Sequence, residues 1–322
     1  MEIMRRHCQV RSLPGDQSAP RHRAVLAPVA TLIALTLLLG ACRDSVGSVG
    51  PRAWVAFVRE PWRDTIFVAD PESGAIEQRI VLPMQASRFR FSPAGDRLAI
   101  VSGGDLWVMN PDGSGARQLV PHVVNIAWSS DGERIAYVDG WSREIHIVGA
   151  DGSGDVIVPG ATSTGYDGLA WSPDGRTIAF EGFRDMVGPG ATTTVYVINT
   201  DGTGLRDIDA SLPGPDGRAA HEPTWSPDGR LIALNRLMYF HTPDQEQNLW
   251  LTNVAKGDGW RITTGGTGDV RESWSPNGDQ ITFLRYDGNS NDVYVVRYDG
   301  TGLRQITDTP EREEEPQFWR RR

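Results

Sequence analysis

Trp171–Phe180 reads WSPDGRTIAF. An aromatic anchor is followed by a Ser-Pro-Asp-Gly turn and then by an apolar run. Proline presets φ at the second turn position, Asp bonds back to its own backbone, and Gly accepts the conformation other residues resist. The stretch predicts a β-hairpin. It recurs at Trp128 (WSSDGERIAY), Trp225 (WSPDGRLIAL) and Trp274 (WSPNGDQITF), with a weaker copy at Phe91 (FSPAGDRLAI). Five copies of one hairpin in one chain imply a repeat architecture.

Outward from Trp171, each repeat has four parts. A first strand leads into the anchor, the Ser172–Gly175 turn follows, and the second strand is Thr177–Glu181. The third is Thr194–Asn199, and Asp201-Gly202-Thr203-Gly204 turns into a fourth near Leu205–Ile208. The third strand and its turn recur at Leu106–Gly115, Ile145–Gly154 and Val293–Gly302. Alternating apolar residues between Gly/Asp turns mark consecutive antiparallel strands. Four strands per repeat of roughly 40–50 residues is the pattern of a propeller blade.

The two ends settle the count. Ala53–Val58, Thr65–Asp70 and Ala75–Leu82 match second, third and fourth strands, with no first strand before them. Glu315-Pro316-Gln317-Phe318 matches Glu222-Pro223-Thr224-Trp225, so Phe318 takes an anchor place with no second strand after it. The anchors Phe91, Trp128, Trp171, Trp225, Trp274 and Phe318 predict an all-β, six-bladed β-propeller of four-stranded antiparallel blades. A C-terminal strand joining the three N-terminal strands closes it. Closure of this kind leaves only short, protected sheet edges.

Composition agrees with a turn-rich globular body. Of 322 residues, 39% are hydrophobic and 23% charged, with 36 glycines and 21 prolines. The formal net charge is −9; residues 1–41 carry +3, which leaves −12 on the remainder. An acidic body without a basic stripe argues against nucleic acid as a partner. The two cysteines, Cys8 and Cys42, both precede the repeats, so the body has no disulfide and no cysteine metal site.

Residues 1–41 read as a targeting segment. A basic region (Arg5, Arg6, Arg11, Arg21, Arg23) precedes the apolar stretch Ala24–Leu39, short for a membrane span and right for a secretory signal. It ends in Leu39-Gly40-Ala41-Cys42, which resembles the lipobox of bacterial lipoproteins and implies lipidation of Cys42. Residues 42–52 then form a flexible linker and 53–322 the propeller. Arg43, and not an aspartate, follows Cys42. The resemblance therefore leans toward the outer membrane facing the periplasm.

The hairpin, the Tyr/Trp-Val third strand and its DG turn together resemble the propeller repeats of TolB and its relatives, over about residues 53–320. TolB proper carries an α/β domain before its propeller; ten residues separate Cys42 from Ala53 here, so that domain is expected to be missing. The resemblance is specific for fold and much less so for function; the expectation is a monomeric propeller that acts as a non-catalytic binding module. Its expected partner is an envelope protein or peptide, with the membrane reached through the lipid anchor and no cofactor.

Strand alternation sorts the connections onto two faces. The SPDG and DGTG turns share a uniformly tight face. The other face carries the long insertions Glu60–Asp64, Arg184–Thr193, Asp209–His221, Arg236–Asn248 and Arg285–Asn291, and loops of variable length on a rigid scaffold are where binding concentrates. Candidate binding residues there are Tyr166, Asp167, His221, Glu222, Arg236, Tyr239 and Arg271, with Arg88 and Glu315. Three residues before each anchor, where first strands enter the channel, stand Arg88, Asn125, Gly168, Glu222, Arg271 and Glu315. Four neighbours alternate in sign: Glu222, Arg271, Glu315, Arg88. They form either inter-blade salt bridges or a polar mouth for a charged peptide or sugar.

Catalytic readings are thinner. There is no G-x-S-x-G elbow and no H-E-x-x-H. The alternative function is a metal-dependent lyase or lactonase acting on a carbohydrate or lactone in the channel. It would need His122 and His221 to meet, with Asp167 or Glu222 as oxygen ligands. The DGSG and DGTG repeats are too short for a calcium loop and read as turns.

Overall fold

The computed structural model describes residues 53–164, 168–183, 193–209, 219–238, 246–265, 268–286 and 288–320. The chain begins with β1 (Ala53–Arg59), β2 (Thr65–Ala69) and β3 (Ile76–Val81). Blade 1 follows as β4 (Arg88–Phe91), β5 (Leu98–Ser102), β6 (Asp105–Met109) and β7 (Arg117–Val120). Blade 2 is β8 (Val123–Trp128), β9 (Arg134–Asp139), β10 (Glu144–Gly149) and β11 (Val156–Thr162). Blade 3 is β12 (Leu169–Trp171), β13 (Thr177–Phe183), β14 (Thr193–Asn199) and β15 (Arg206–Asp207). Blade 4 is β16 (Ala219–Trp225), β17 (Leu231–Met238), β18 (Glu246–Asn253) and β19 (Gly259–Arg261). Blade 5 is β20 (Asp269–Trp274), β21 (Gln280–Tyr286), β22 (Asn291–Arg297) and β23 (Arg304–Gln305). The last strand is β24 (Glu313–Arg320).

Each blade is a four-stranded antiparallel sheet, and the sixth has the order β24-β1-β2-β3. Val55 pairs with Phe318 and Trp54 with Trp319, so the two chain ends complete one blade, as the end-matching predicts. Trp319 then stacks on Phe91 of blade 1 with centroids 4.6 Å apart.

The core is a set of six layers, one between each pair of neighbouring blades. Side chains on a strand alternate between faces, and the second strands show the consequence. Ile178 and Phe180 pack toward blade 2, while Ala179 packs toward blade 4. Large residues on one face and alanine on the other let wedge-shaped blades close a ring. Two of the anchor indoles add polar ties. Trp128 Nε1–H donates to the Arg90 carbonyl (2.9 Å), and Trp274 Nε1–H donates to the Thr224 carbonyl (3.2 Å), each in the preceding blade.

The repeated turn is held by one carboxylate. Ser172 Oγ–H donates to Asp174 Oδ1 (2.6 Å), Arg176 N–H donates to the same oxygen (3.0 Å), and Thr177 N–H donates to Ser172 Oγ (2.9 Å). Gly175 takes φ +72°, which a side chain resists. Two copies lack the aspartate, having Ala94 and Asn277 instead. There the serine finds a carboxylate two residues further on: Ser92 Oγ–H donates to Asp96 (2.9 Å) and Ser275 Oγ–H to Asp279 (3.0 Å).

Candidate functional site

The first strands converge on the central channel. In blades 4, 5 and 6 the strand pairing slips just before the anchor, and Glu222, Arg271 and Glu315 sit at φ +53°, +63° and +56°. Left-handed backbone costs a side-chain-bearing residue about 1–2 kcal/mol. Blade 3 has Gly168 at the equivalent place, with φ +83°. A Cβ there would lie 2.6 Å from Pro223 Cδ and 2.9 Å from the Glu222 backbone, so the close approach of blade 4 demands glycine.

All six residues at this place, Arg88, Asn125, Gly168, Glu222, Arg271 and Glu315, line one channel cavity of about 250 Å³. The charged four form a chain across three blade boundaries. Arg271 Nη1 lies 3.0 Å from Glu315 Oε1, and Arg271 Nε lies 3.4 Å from Glu222 Oε1. The Arg271 backbone N–H and the Asn235 amide both donate to Glu222 Oε2, at 2.7 and 2.8 Å. Glu315 also pairs with Arg88 and Arg90. Burial pushes the Glu315 carboxyl up, but Arg88 and then Arg90 outweigh it and hold the group below the usual carboxylate range.

This belt divides the channel. On the long-loop side lies a second cavity of about 410 Å³, lined by Arg63, Gly104, Val123 and Glu314 and sharing Arg88, Arg271 and Glu315 with the first. The first cavity runs from the belt toward the tight-turn face, where Phe91, Pro93 and Trp128 line it.

The family profile for the TolB beta propeller domain matches residues 105–319. The chain belongs to the TolB β-propeller family. Solved structures of the same fold include TolB from Acinetobacter baumannii (15% identity, TM-score 0.67), with 83% of this chain aligned. This chain spans 66% of the length of that protein. A TolB candidate from Agrobacterium tumefaciens aligns at 21% identity and TM-score 0.60, over 80% of this chain and 90% of its own. A chain of a nidogen/laminin complex aligns at 12% identity and TM-score 0.61, over 83% and 98%. At these identities the likeness is one of fold.

In this TolB-family propeller the remaining sequence-predicted residues fall in different places. Cys42, Tyr166, Asp167 and Tyr239 lie outside the described residues. His221 Nδ1 faces the buried Glu181 carboxylate at 3.2 Å, beside Thr193. His122 stacks on Trp141 at 3.8 Å. Among the described residues no three His, Cys, Asp or Glu side chains gather around a point that a metal ion could occupy.

Arg236 departs from expectation. Read as part of an exposed loop, it is 0% exposed. Strands β17 and β18 run longer than the pattern indicates, pairing Arg236 with Asn248 and Met238 with Glu246. The guanidinium pairs with buried Asp209 (2.9 Å) and lies over the Trp250 ring (4.5 Å), so it cannot present itself to a partner.

Glu272 escaped the sequence reading. It lines the channel cavity beside Arg271. Its signal was available: the place two before the anchor is apolar in the other five blades.

Proposed function

We propose that this chain is an exported, lipid-anchored propeller that serves as a non-catalytic protein- or peptide-binding module of the bacterial cell envelope. The observation carrying the binding reading is a set of exposed aromatics on one rim. Trp62 (51% exposed), Trp141 (78%), Phe183 (46%) and Tyr286 (37%) come from four different blades. Each lies in, or at the edge of, the connection between a blade's second and third strands. Solvent-exposed Trp and Tyr on a rigid rim are what protein-binding hot spots use. Other exposed aromatics, Trp260 and Tyr298, belong to an outer strand and a tight turn. The long-loop rim, with the belt residues Arg88, Glu222, Arg271 and Glu315 beneath it, is the proposed docking face. Tyr166, Asp167, His221 and Tyr239 are proposed to extend that face.

Membership of the TolB propeller family supports a protein partner. The basic and apolar segments before Leu39-Gly40-Ala41-Cys42 support export and lipidation of Cys42, with the outer membrane as its destination. Two measurements test the reading. Envelope partners captured by wild type are compared with those of a Trp62→Ala/Trp141→Ala variant; identical recoveries would sink the rim as docking face. A Cys42→Ser protein is expected to leave the membrane fraction and to lose the mass of its acyl chains. Unchanged mass and membrane retention would overturn the anchor.

A further inference from the structure

The chain enters and leaves the propeller at one corner of the tight-turn face. β1 begins at Ala53, β24 ends at Arg320, and those two residues pair across blade 6. The far end of β1 runs into the Glu60–Asp64 connection of the long-loop rim, so its near end lies with the tight turns. Two contacts agree with that placement. Val55 pairs with Ala69, which leads into the outer turn of blade 6. The Arg320 carbonyl lies against Gly95 of the blade 1 turn, where a Cβ would collide with it. Blade 6 has no turn between its first and second strands, because the two chain ends meet there. In the sequence Arg52 precedes Ala53, and Arg321 and Arg322 follow Arg320; these three lie outside the described residues.

The charge of this corner differs from the rest of its face. Among the tight turns of the other five blades, none carries a net positive charge. The outer turn of blade 6 has Asp70 and Glu72, but Asp70 is buried and accepts the N–H groups of Glu72 and Ser73, at 2.7 and 3.1 Å. Arg320 is half-buried, and among the described residues no carboxylate pairs with its guanidinium. The chain after residue 41 carries −12, so an anionic surface repels the body as a whole and attracts it at this corner.

We propose that the corner formed by Arg52, Arg320, Arg321 and Arg322 rests on the anionic phospholipid headgroups of the bilayer that holds the lipid anchor, and so presents the long-loop rim away from the membrane. The inference rests on the lipid-anchored reading above. Chain length supports it. Residues 43–52 join Cys42 to Ala53 and reach at most about 33–36 Å when fully extended, or about 16–19 Å as a flexible coil. β1, with 7 residues, spans about 23 Å from the tight-turn face toward the rim. Turning the rim to the bilayer would therefore use most of the linker in running past the blade. Charge supports it as well. Guanidinium groups fit phosphate oxygens in pairs. An arginine near an anionic bilayer strengthens association about five-fold. That attraction fades within about 8 Å in physiological salt, so it acts at the corner the tether already holds close. One acyl anchor plus a basic cluster also makes the attachment firmer than either alone.

The test places a fluorophore on a single introduced cysteine, Ala94→Cys in the turn beside Arg320 or Ser142→Cys on the rim. Acylation blocks the Cys42 thiol and processing removes Cys8, so the introduced thiol is the one that reacts. The membrane-purified protein is reconstituted in vesicles carrying a nitroxide-labelled lipid, with or without phosphatidylglycerol. With phosphatidylglycerol, the label at 94 is expected to be quenched several-fold more than the label at 142. Arg320→Ser/Arg321→Ser/Arg322→Ser, neutral phosphatidylcholine vesicles or 1 M salt should each erase most of that difference, and the corresponding triple lysine variant should keep it. Arg321→Ser/Arg322→Ser repeats the comparison with β24 intact. Equal quenching at the two positions, stronger quenching at 142, or a difference indifferent to the arginines would overturn the proposal. Mass spectrometry separates this from the anchor: absence of acyl mass defeats the anchored reading, and the corner is then judged by sedimentation of the unacylated protein with phosphatidylglycerol vesicles. There the triple serine variant should bind roughly 100-fold more weakly than wild type. Equal sedimentation, or arginine-dependent binding to poly-glutamate without binding to vesicles, would overturn the headgroup assignment.

Discussion

Arg271 Nη1 lies 3.0 Å from Glu315 Oε1, joining blade 5 to blade 6 at the channel wall. Glu315 is almost fully buried and also holds Arg88 and Arg90. Removing its charge leaves three guanidinium groups short of a counterion, so Glu315→Gln is expected to cost about 3–5 kcal/mol in urea denaturation at neutral pH. The pH dependence has a definite sign. The Glu315 acid is lowered in the folded protein, so its contribution is present above the ordinary value of 4.5 and is lost as pH falls through the folded value. The gap between wild type and Glu315→Gln should narrow on acidification; a gap that stays constant down to the acid transition would contradict the ion-pair account.

Glu272 has the opposite sign. Its acid is raised on folding, so stability is lost as pH rises from 4.5 toward the folded value. Glu272→Leu replaces an acid that is buried beside the like-charged Glu222 with hydrocarbon and is expected to raise stability by about 1–4 kcal/mol at neutral pH. The gain should be larger at pH 8 than at pH 5. Equal gains at the two pH values would mean that Glu272 titrates alike in the folded and unfolded chains.

The displaced turn carboxylates can be exchanged. Asp279→Ala removes the acceptor of the Ser275 hydroxyl and should cost about 1 kcal/mol. Adding Asn277→Asp to that variant installs the arrangement seen at Asp174 and should recover most of the loss. Thermal melts of wild type, the two single variants and the double variant decide it; no recovery in the double variant would show that the two turn geometries are not interchangeable.

Ring closure rests on β24. Trp319 is buried, pairs opposite Trp54 and stacks on Phe91. Trp319→Ala is expected to cost about 3–5 kcal/mol. Deleting residues 313–322 would expose the edge of β1 and should yield aggregates on size exclusion; a monodisperse monomer would count against closure by this strand.

Strand order was legible because it rests on local chemistry repeated in five hairpins, and blade number and the closing strand because the two chain ends carry complementary parts of a sixth repeat. The anchor, the Ser-Pro-Asp-Gly turn and period-two alternation occupy about ten residues each. The six residues three before the anchors were legible for the same reason: equivalent places in a ring must face the same axis. Arg236 was not legible, because polar residues near a loop give no sign that β17 and β18 continue past them. Its burial depends on Asp209, 27 positions away, supplying the countercharge.

Trp171–Phe180 and its copies, with the matching segments at the two chain ends, thus determine the architecture, since turn and strand are decided by φ preference and side-chain alternation. Only the tertiary structure decided the chemistry of the channel. Which charges pair, which side of the belt each cavity lies on, and that Glu272 is buried beside Glu222 depend on side chains from different blades meeting at the axis. Pairing and burial are properties of that meeting, and no single repeat contains them.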